Sequence, residues 1–399
     1  MIRRDFVRLG GAGVAGLVAE AALPKVLRAA ADWRTLKVTA VETYRLQTNS
    51  LFVLVRTNEG ITGLGEVSPM NTRVLEAVVR HSLAPLVVGK NPLDVGRIWD
   101  EMLHATYKLG TAGSQPEAMA GIDIALWDIL GKTAGLPIHA LLGGKRKDKI
   151  RLYASIGNGA QNPIPDQVKK AVAAVVQGYS AVKMRMEWSS RATDVNPFKD
   201  WELLSRVRKE IGDQVDLYFD ANNGFSVATA IRLGRRFQDE LNVLHYEEPI
   251  AQHDYAGYAE ICAALDMAVA AGEHEYTLWQ FRDLIERAHV DVVQPDLVKA
   301  AGMTECVRIA HLAQAHGKVL VPHQTQQTIG HTANLHYLAA FDNSAHAQEY
   351  SWVPERAAQL WKLFKLDLSP KAGYATVPDG PGLGLELDEA AMKAMVAAD

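Results

Sequence analysis

From residue 215 to residue 349 the chain repeats one event: a short apolar run rises out of polar sequence and stops on an ionisable side chain. VDLYFD stops at Asp220, VLHYE at Glu247, AVAAGE at Glu273, VDVVQPD at Asp296, KVLVPH at His323 and HAQE at Glu349. Consecutive stops lie 27, 26, 23, 27 and 26 residues apart, room for one strand, one helix and two loops per step. LYAS, ending at Ser155, and SAVKM, carrying Lys183, extend the series upstream. Eight βα units of this kind close into a (β/α)8 TIM barrel, an α/β fold in which functional groups collect at the C-terminal ends of the strands. The period comes from the architecture and needs no sequence repeat. The longer step from Lys183 to Asp220 leaves room for an excursion around residues 188–200.

Ahead of the barrel, residues 34–150 read as an α+β unit. In SLFVLVRTNEGITGLGEV two strand-like runs are joined by Asn58-Glu59-Gly60, a hairpin signal. Helical patterns follow in VLEAVVRHSLAPLVV, GRIWDEMLHATYKL and EAMAGIDIALWDILGKTAG. Residues 1–31 differ again: a basic start, a Gly/Ala-rich mildly apolar stretch, then Ala29-Ala30-Ala31. That is the plan of an export signal, and Arg3-Arg4-Asp5-Phe6 has the twin-arginine form used for proteins that cross the inner membrane already folded. The expected destination is the periplasm, with no membrane attachment after signal removal. The apolar run is too short and too Gly-interrupted for an anchor. Net charge is −4 and no block of basic residues occurs, which excludes a nucleic-acid-binding surface. The only cysteines, Cys262 and Cys306, sit in apolar helix-like segments and read as buried free thiols, not as a disulfide framework or zinc site.

The strand-end residues specify chemistry. Asp220, Glu247 and Glu273 come from three successive strands. Three hard carboxylates on neighbouring strands suit Mg²⁺, which takes oxygen ligands octahedrally and leaves positions for substrate oxygens; Mn²⁺ also fits. Zinc fits less well, because no second His or Cys joins the cluster. Asn222, in FDANNG, is placed to face the same cavity and bind substrate. Asp296 and His323 end the next two strands. An Asp beside a His fixes the imidazole tautomer and raises its basicity, giving a general base that becomes a general acid once protonated. Glu349, kept protonated, would donate to a developing oxyanion. In AVKMRM, strand geometry points Lys183 and Arg185 the same way. His311, His316, His331 and His336 lie in helical patterns and are expected to pack or face solvent.

The ordered strings FDANNGFS, YEEPIAQHDY, AGEHEYT, QPDLVKAAGMTE, VPHQTQQTIGHTANLHYLAA and QEYSW resemble the mandelate racemase subgroup of the enolase superfamily. VRTNEGITGLGEV and GYATVPDGPGLGLELDE resemble that superfamily's capping-domain pieces, and the likeness covers about residues 34–389. The resemblance implies a modified enolase-type barrel over 151–360, with an N-terminal capping domain over 34–150 completed by 361–399. It implies a Mg²⁺ enzyme that removes the proton α to a carboxylate and stabilises the enediolate. Asp220, Glu247 and Glu273 would be the metal ligands, Asp296–His323 the dyad and Glu349 the hydrogen-bonding acid. GEHEYT and the PHQ segment are similar to acid-sugar dehydratases of the L-rhamnonate or L-galactonate kind. The branches with lysine at the Asp296 position are set aside, and Lys299 is taken as a structural lysine.

Family members carry Lys-x-Lys where this chain has Lys183 and Arg185, and the second lysine is a base. A guanidinium stays protonated at any working pH, so Arg185 is expected to bind a carboxylate or steady a leaving hydroxyl, and Lys183 to support the substrate or metal cluster by charge. Specificity would come from capping loops at Thr43–Ser50 and Val67–Arg73, with Tyr44, Asn49, Asn71 and Arg73 as polyol contacts. The expected reaction is elimination of the β-hydroxyl of a sugar acid by a carbon–oxygen lyase, giving a 2-keto-3-deoxy acid. The alternatives are a racemase or epimerase of a 2-hydroxy or amino acid, a periplasmic lyase on a modified sugar, and a non-catalytic barrel. The partner is a small-molecule carboxylate, and a homo-oligomer is expected.

Overall fold

The computed structural model describes residues 33–157, 162–186, 192–344 and 346–398. The expected export segment, residues 1–31, lies outside the described residues. Strands β1 (Val38–Arg45), β2 (Leu51–Thr57) and β3 (Thr62–Val67) form an antiparallel sheet in that order. The run of apolar residues in β2 is divided by its pleat, because neighbours point to opposite faces. Leu51, Val53 and Val55 join one core with Trp99, Met119 and Leu126. Phe52 and Leu54 join the large core shared with the barrel. Helix Ser114–Ala134 is buried along most of its length and contributes to both. Gly135, at φ 68°, ends it in the left-handed conformation that a residue with Cβ adopts only with strain.

Eight parallel strands follow: β4 (Lys149–Ile156), β5 (Ala181–Arg185), β6 (Asp216–Asp220), β7 (Val243–Glu247), β8 (Ala268–Ala271), β9 (Val292–Val293), β10 (Val319–Leu320) and β11 (Gln348–Ser351). Their order is β10-β9-β8-β7-β6-β5-β4-β11, and β12 (Tyr374–Thr376) adds to β4 in antiparallel. At the β10/β11 seam the Leu320 N–H donates to the Asn343 carbonyl at 3.0 Å, and Gln348 Nε2 donates to the Leu320 carbonyl at 3.3 Å. Each strand is followed by a helix, the last being Pro354–Trp361. Asn196, Ser226, Asp254 and Thr277 cap four of these helices through their side chains, a stabilisation of about 1 kcal/mol each.

The barrel interior mixes large and small residues: Tyr153 and Tyr218 against Ala181, Ala270, Val292 and Ala347. Side chains two apart on a strand share a face. The face that turns Tyr153, Tyr218 and His245 inward therefore carries Ser155, Asp220 and Glu247 to the mouth.

The capping unit is fastened to the mouth by buried polar groups. Asp123 accepts from the Thr304 N–H (2.9 Å) and hydroxyl (2.6 Å) at the start of helix Met303–Ala315. Glu66, on β3, accepts from the Gly330 N–H at 2.9 Å. Burial pushes both carboxyls up to about 7. Trp99 Nε1–H donates to the Ala301 carbonyl at 2.9 Å. The C-terminal segment returns to the same unit, where Arg56 pairs with Glu389 at 2.6 Å and Asp128 accepts from the Leu64 and Leu383 N–H groups. Among the described residues no helix is long and apolar enough to cross a membrane.

Candidate active site

The mouth holds the strand-end residues in one buried cluster. Lys183 lies at its centre, with Nζ 2.6 Å from Glu247 Oε1, 2.8 Å from Glu349 Oε1 and 4.0 Å from Asp220 Oδ2. Burial works against the Lys183 charge, but Glu247 and Glu349 outweigh it and hold the amine protonated. Arg185, partly exposed, lies 3.6 Å from Asp220 Oδ2. Burial opposes its charge as well, and Asp220 and Glu273 more than offset that. The neighbouring carboxylates thus favour the charged form of both members of the pair.

Asp220 takes the Asn222 N–H at 2.7 Å. Burial, reinforced by the Glu247 charge, pushes its carboxyl up to about 7. Glu247 is buried too, yet Lys183 and His245 hold it well below the usual carboxylate range. Gln294 donates to its other oxygen at 2.9 Å. His323 donates from Nδ1 to Asp296 Oδ2 at 2.7 Å, and Asp296 Oδ1 accepts from the Val298 N–H at 2.9 Å. His323 Nε2 meets Glu273 Oε2. Burial lowers the imidazole, but the Glu273 charge raises it further, to about 10. Glu349 accepts from the Gln324 N–H at 3.0 Å as well as from Lys183. Both its oxygens therefore accept here, whereas the sequence expectation has it donating.

Acids outnumber cations in the mouth. Asp220, Glu247, Glu248, Glu273, Asp296 and Glu349 face Lys183, Arg185, Lys299, His323 and His274, all buried except the partly exposed Arg185 and His274. A hard divalent cation fits that imbalance, since charges cannot be buried uncompensated. Among the described residues, Glu248, Glu273 and His274 bring donor atoms mutually within 4.8 Å. This group shares only Glu273 with the expected triad. Glu248 and His274 already satisfy each other through a 2.6 Å contact, and Asn223 donates to the second Glu248 oxygen at 3.0 Å. Asp220 and Glu247 are register partners on adjacent strands β6 and β7, and Glu273 follows the end of the next strand, β8.

A cavity of about 600 Å³ opens over the cluster and is bordered by Lys183, Arg185, Asp220, His323 and Glu349. The expected substrate contacts from the capping unit do not border it. Tyr44 lies on strand β1, where two-residue alternation pairs it with Glu42, and its hydroxyl donates to that carboxylate at 2.9 Å beside the Arg56–Glu389 pair. Asn71 and Arg73 are exposed at the start of helix Thr72–Val78. Asn222 holds Asp220 through its backbone and stays outside the cavity lining. Asn49 plays a structural part, its Nδ2 donating to the Pro69 carbonyl at 2.8 Å and so tying one capping loop to the other.

Sequence reasoning missed several residues. Lys299, taken as structural, is buried with Nζ 3.4 Å from Glu273 Oε2. Glu117, at the start of helix Ser114–Ala134, reaches towards Ser68, Tyr276 and Lys299, and burial raises its carboxyl. Gln294 and Gln324 carry no charge to draw notice, though Gln294 lies two residues before Asp296 and Gln324 directly follows His323. Of the cysteines, Cys306 is buried and Cys262 only half-buried. His331 and His336 pack inside, while His311 and His316 are exposed.

An acid-lined barrel mouth under an α+β cap is the architecture of the enolase superfamily. Residues 166–391 match the enolase C-terminal domain-like family, and residues 25–143 match the mandelate racemase/muconate lactonizing enzyme N-terminal domain. The chain belongs to this superfamily, in its mandelate racemase subgroup. It is 32% identical over 362 residues to a D-galactonate dehydratase of Ralstonia pickettii, covering 89% of this chain and 93% of that one. It is 30% identical over 336 residues to an arabinonate dehydratase of Saccharolobus solfataricus, covering 83% and 86%. A mandelate racemase/muconate lactonizing protein of Paracoccus denitrificans, solved in complex with magnesium, superposes with a TM-score of 0.86 at 36% identity, over 91% of this chain and 98% of that one.

Proposed function

We propose that this chain is a Mg²⁺-dependent dehydratase that eliminates the β-hydroxyl of a sugar acid to give a 2-keto-3-deoxy acid. One observation carries the reading: the Asp296 carboxylate orients His323 beside Asp220, Glu247 and Glu273, while the Lys183 amine is engaged by Glu247 and Glu349 and position 185 offers a guanidinium. Asp220, Glu247 and Glu273 are the residues that would hold the ion. Gln294 supports the choice by fixing one Glu247 oxygen, as does the magnesium complex of the Paracoccus protein. When bound, Mg²⁺ supplies positive charge against the carboxylate oxygens of the substrate. Asp296 holds the Nδ1–H of His323, and with Glu273 turned to the ion instead of the imidazole, Nε2 would be free to take the proton from C2. Glu349, held by the Gln324 N–H, positions the Lys183 ammonium towards the oxygen on which charge develops. Arg185 and Lys183 stabilise the same charge. Hydroxide then leaves C3, taking its proton from His323 if both groups depart from one face, and the resulting enol tautomerises to the 2-keto acid. The dehydratases among the relatives support elimination over racemisation.

The twin-arginine-type sequence at 1–31 supports export of the folded enzyme to the periplasm, and N-terminal sequencing of the mature protein tests that. The reaction is tested by a Mg²⁺-dependent screen of acid sugars for 2-keto acid formation, with His323→Asn as control. Turnover of at least one acid, lost in the variant and in EDTA, is the expected result. Exchange of an α-proton on some other carboxylate, with every acid sugar inert, would replace the reading.

A further inference from the structure

We infer that a second subsite, suited to a sugar ring, opens off the active-site cavity, and that the substrate is a sugar acid bearing a glycosyl unit. This rests on the acid-sugar reading above and extends it. The 600 Å³ cavity does not end at the reacting groups; it runs outward to Lys170, Gln177 and Glu355. Lys170 lies in helix Ile164–Val176 and Gln177 caps its end. Their separation alone covers roughly 10 Å of helix axis at 1.5 Å per residue. A six-carbon acid whose C2 faces His323 does not require that arm.

The wall of the arm is Trp352. Its backbone N–H donates to the Ser155 carbonyl at 3.1 Å, which fixes it to the end of β4. Its indole N–H donates to Gln177 Oε1 at 3.3 Å. The ring remains partly exposed. A second cavity of about 210 Å³ shares Gln177, Trp352 and Pro354 with the first and continues to Trp361 and Asp367. Trp361 is 3% exposed, and its Nε1–H has no hydrogen-bond partner among the described residues. That edge of the indole is closed off, so Trp361 lends the cavity apolar ring surface. An aromatic face with planar amide and carboxylate groups beside it is what a pyranose needs: its C–H face packs on the ring and its hydroxyls take the polar groups.

The test compares gluconate and galactonate with galactosyl-gluconate, using the full Mg²⁺-loaded protein. Trp352→Ala removes the face on which the glycosyl ring packs, so it is expected to lower kcat/KM for the glycosyl acid up to about tenfold and to leave the simple acids within about twofold. Gln177→Leu, which keeps the wall in shape, gives a smaller selective loss. The inference is overturned if simple acids are turned over and galactosyl-gluconate is not, or if both variants weaken all acids alike. If no acid is turned over, the dehydratase reading fails separately, and saturation-transfer NMR still decides the subsite. Galactosyl protons of galactosyl-gluconate that touch wild type but not Trp352→Ala sustain it; equal signals from both proteins end it.

Discussion

Replacing Lys183 with methionine keeps most of the side chain's length and removes one charge. The site then loses the cation that lies 2.6 Å from Glu247 and 2.8 Å from Glu349, all three groups being buried. Removing one partner of a buried ion pair leaves the other uncompensated and costs about 3–5 kcal/mol. A chain of this length unfolds with an entropy that converts such a loss into a drop of about 4–6 °C in Tm. Thermal unfolding in EDTA at neutral pH is the assay. The deficit should shrink when Mg²⁺ is added, because a divalent cation offsets the same carboxylates, and wild type should gain less from Mg²⁺ than the variant. A variant as stable as wild type in EDTA would refute the view that Lys183 neutralises a buried acid cluster. A deficit unchanged by Mg²⁺ would refute the assignment of those acids to the ion.

Asp296→Asn leaves His323 in place but removes the carboxylate that fixes its tautomer. General-base catalysis contributes about 10²–10⁴-fold, so kcat should fall within that range while substrate affinity, read by calorimetry, stays nearly unchanged. Asp123 gives a pH-dependent prediction. Its carboxyl is raised by burial from 3.8 to about 7, so its favourable contribution is complete below 3.8 and is lost as pH rises through 7. Asp123→Asn cannot ionise and should gain on wild type across that window, by at most about 4 kcal/mol at about 1.4 kcal/mol per pKa unit. Urea unfolding at pH 5 and pH 8 measures it, and an equal gap at both pH values would contradict it.

The barrel was legible because its period is set by architecture. Asp220 and Glu247 end their strands as the apolar runs suggest, whereas β8, β9 and β10 stop at Ala271, Val293 and Leu320, short of Glu273, Asp296 and His323. Gly272, at φ 143°, leaves the strand conformation after β8, and Pro295 and Pro322 bring no N–H to a ladder. The functional side chains thus hang from short loops past the strand ends, and only their spacing revealed them. The partners that hold them were hidden for two reasons. Gln294 and Gln324 are neutral, and the contacts that seat the cap, such as Asp123 with Thr304, join residues far apart in sequence. The capping contacts failed because polarity in a loop does not say which way a side chain points. Tyr44 turned to Glu42, while Glu117, in an apolar helix with no loop signal, reached the mouth.

The central claim is that one base, His323, works on one face of the α-carbon and that Arg185 adds no second. Turnover of an accepted acid sugar in D₂O, with recovered substrate and product analysed by NMR, tests this most directly. The account predicts a 2-keto-3-deoxy product and recovered substrate of unchanged configuration at C2, with both product formation and exchange lost in His323→Asn. A C2 epimer carrying deuterium, formed by wild type and still formed by that variant, would contradict it.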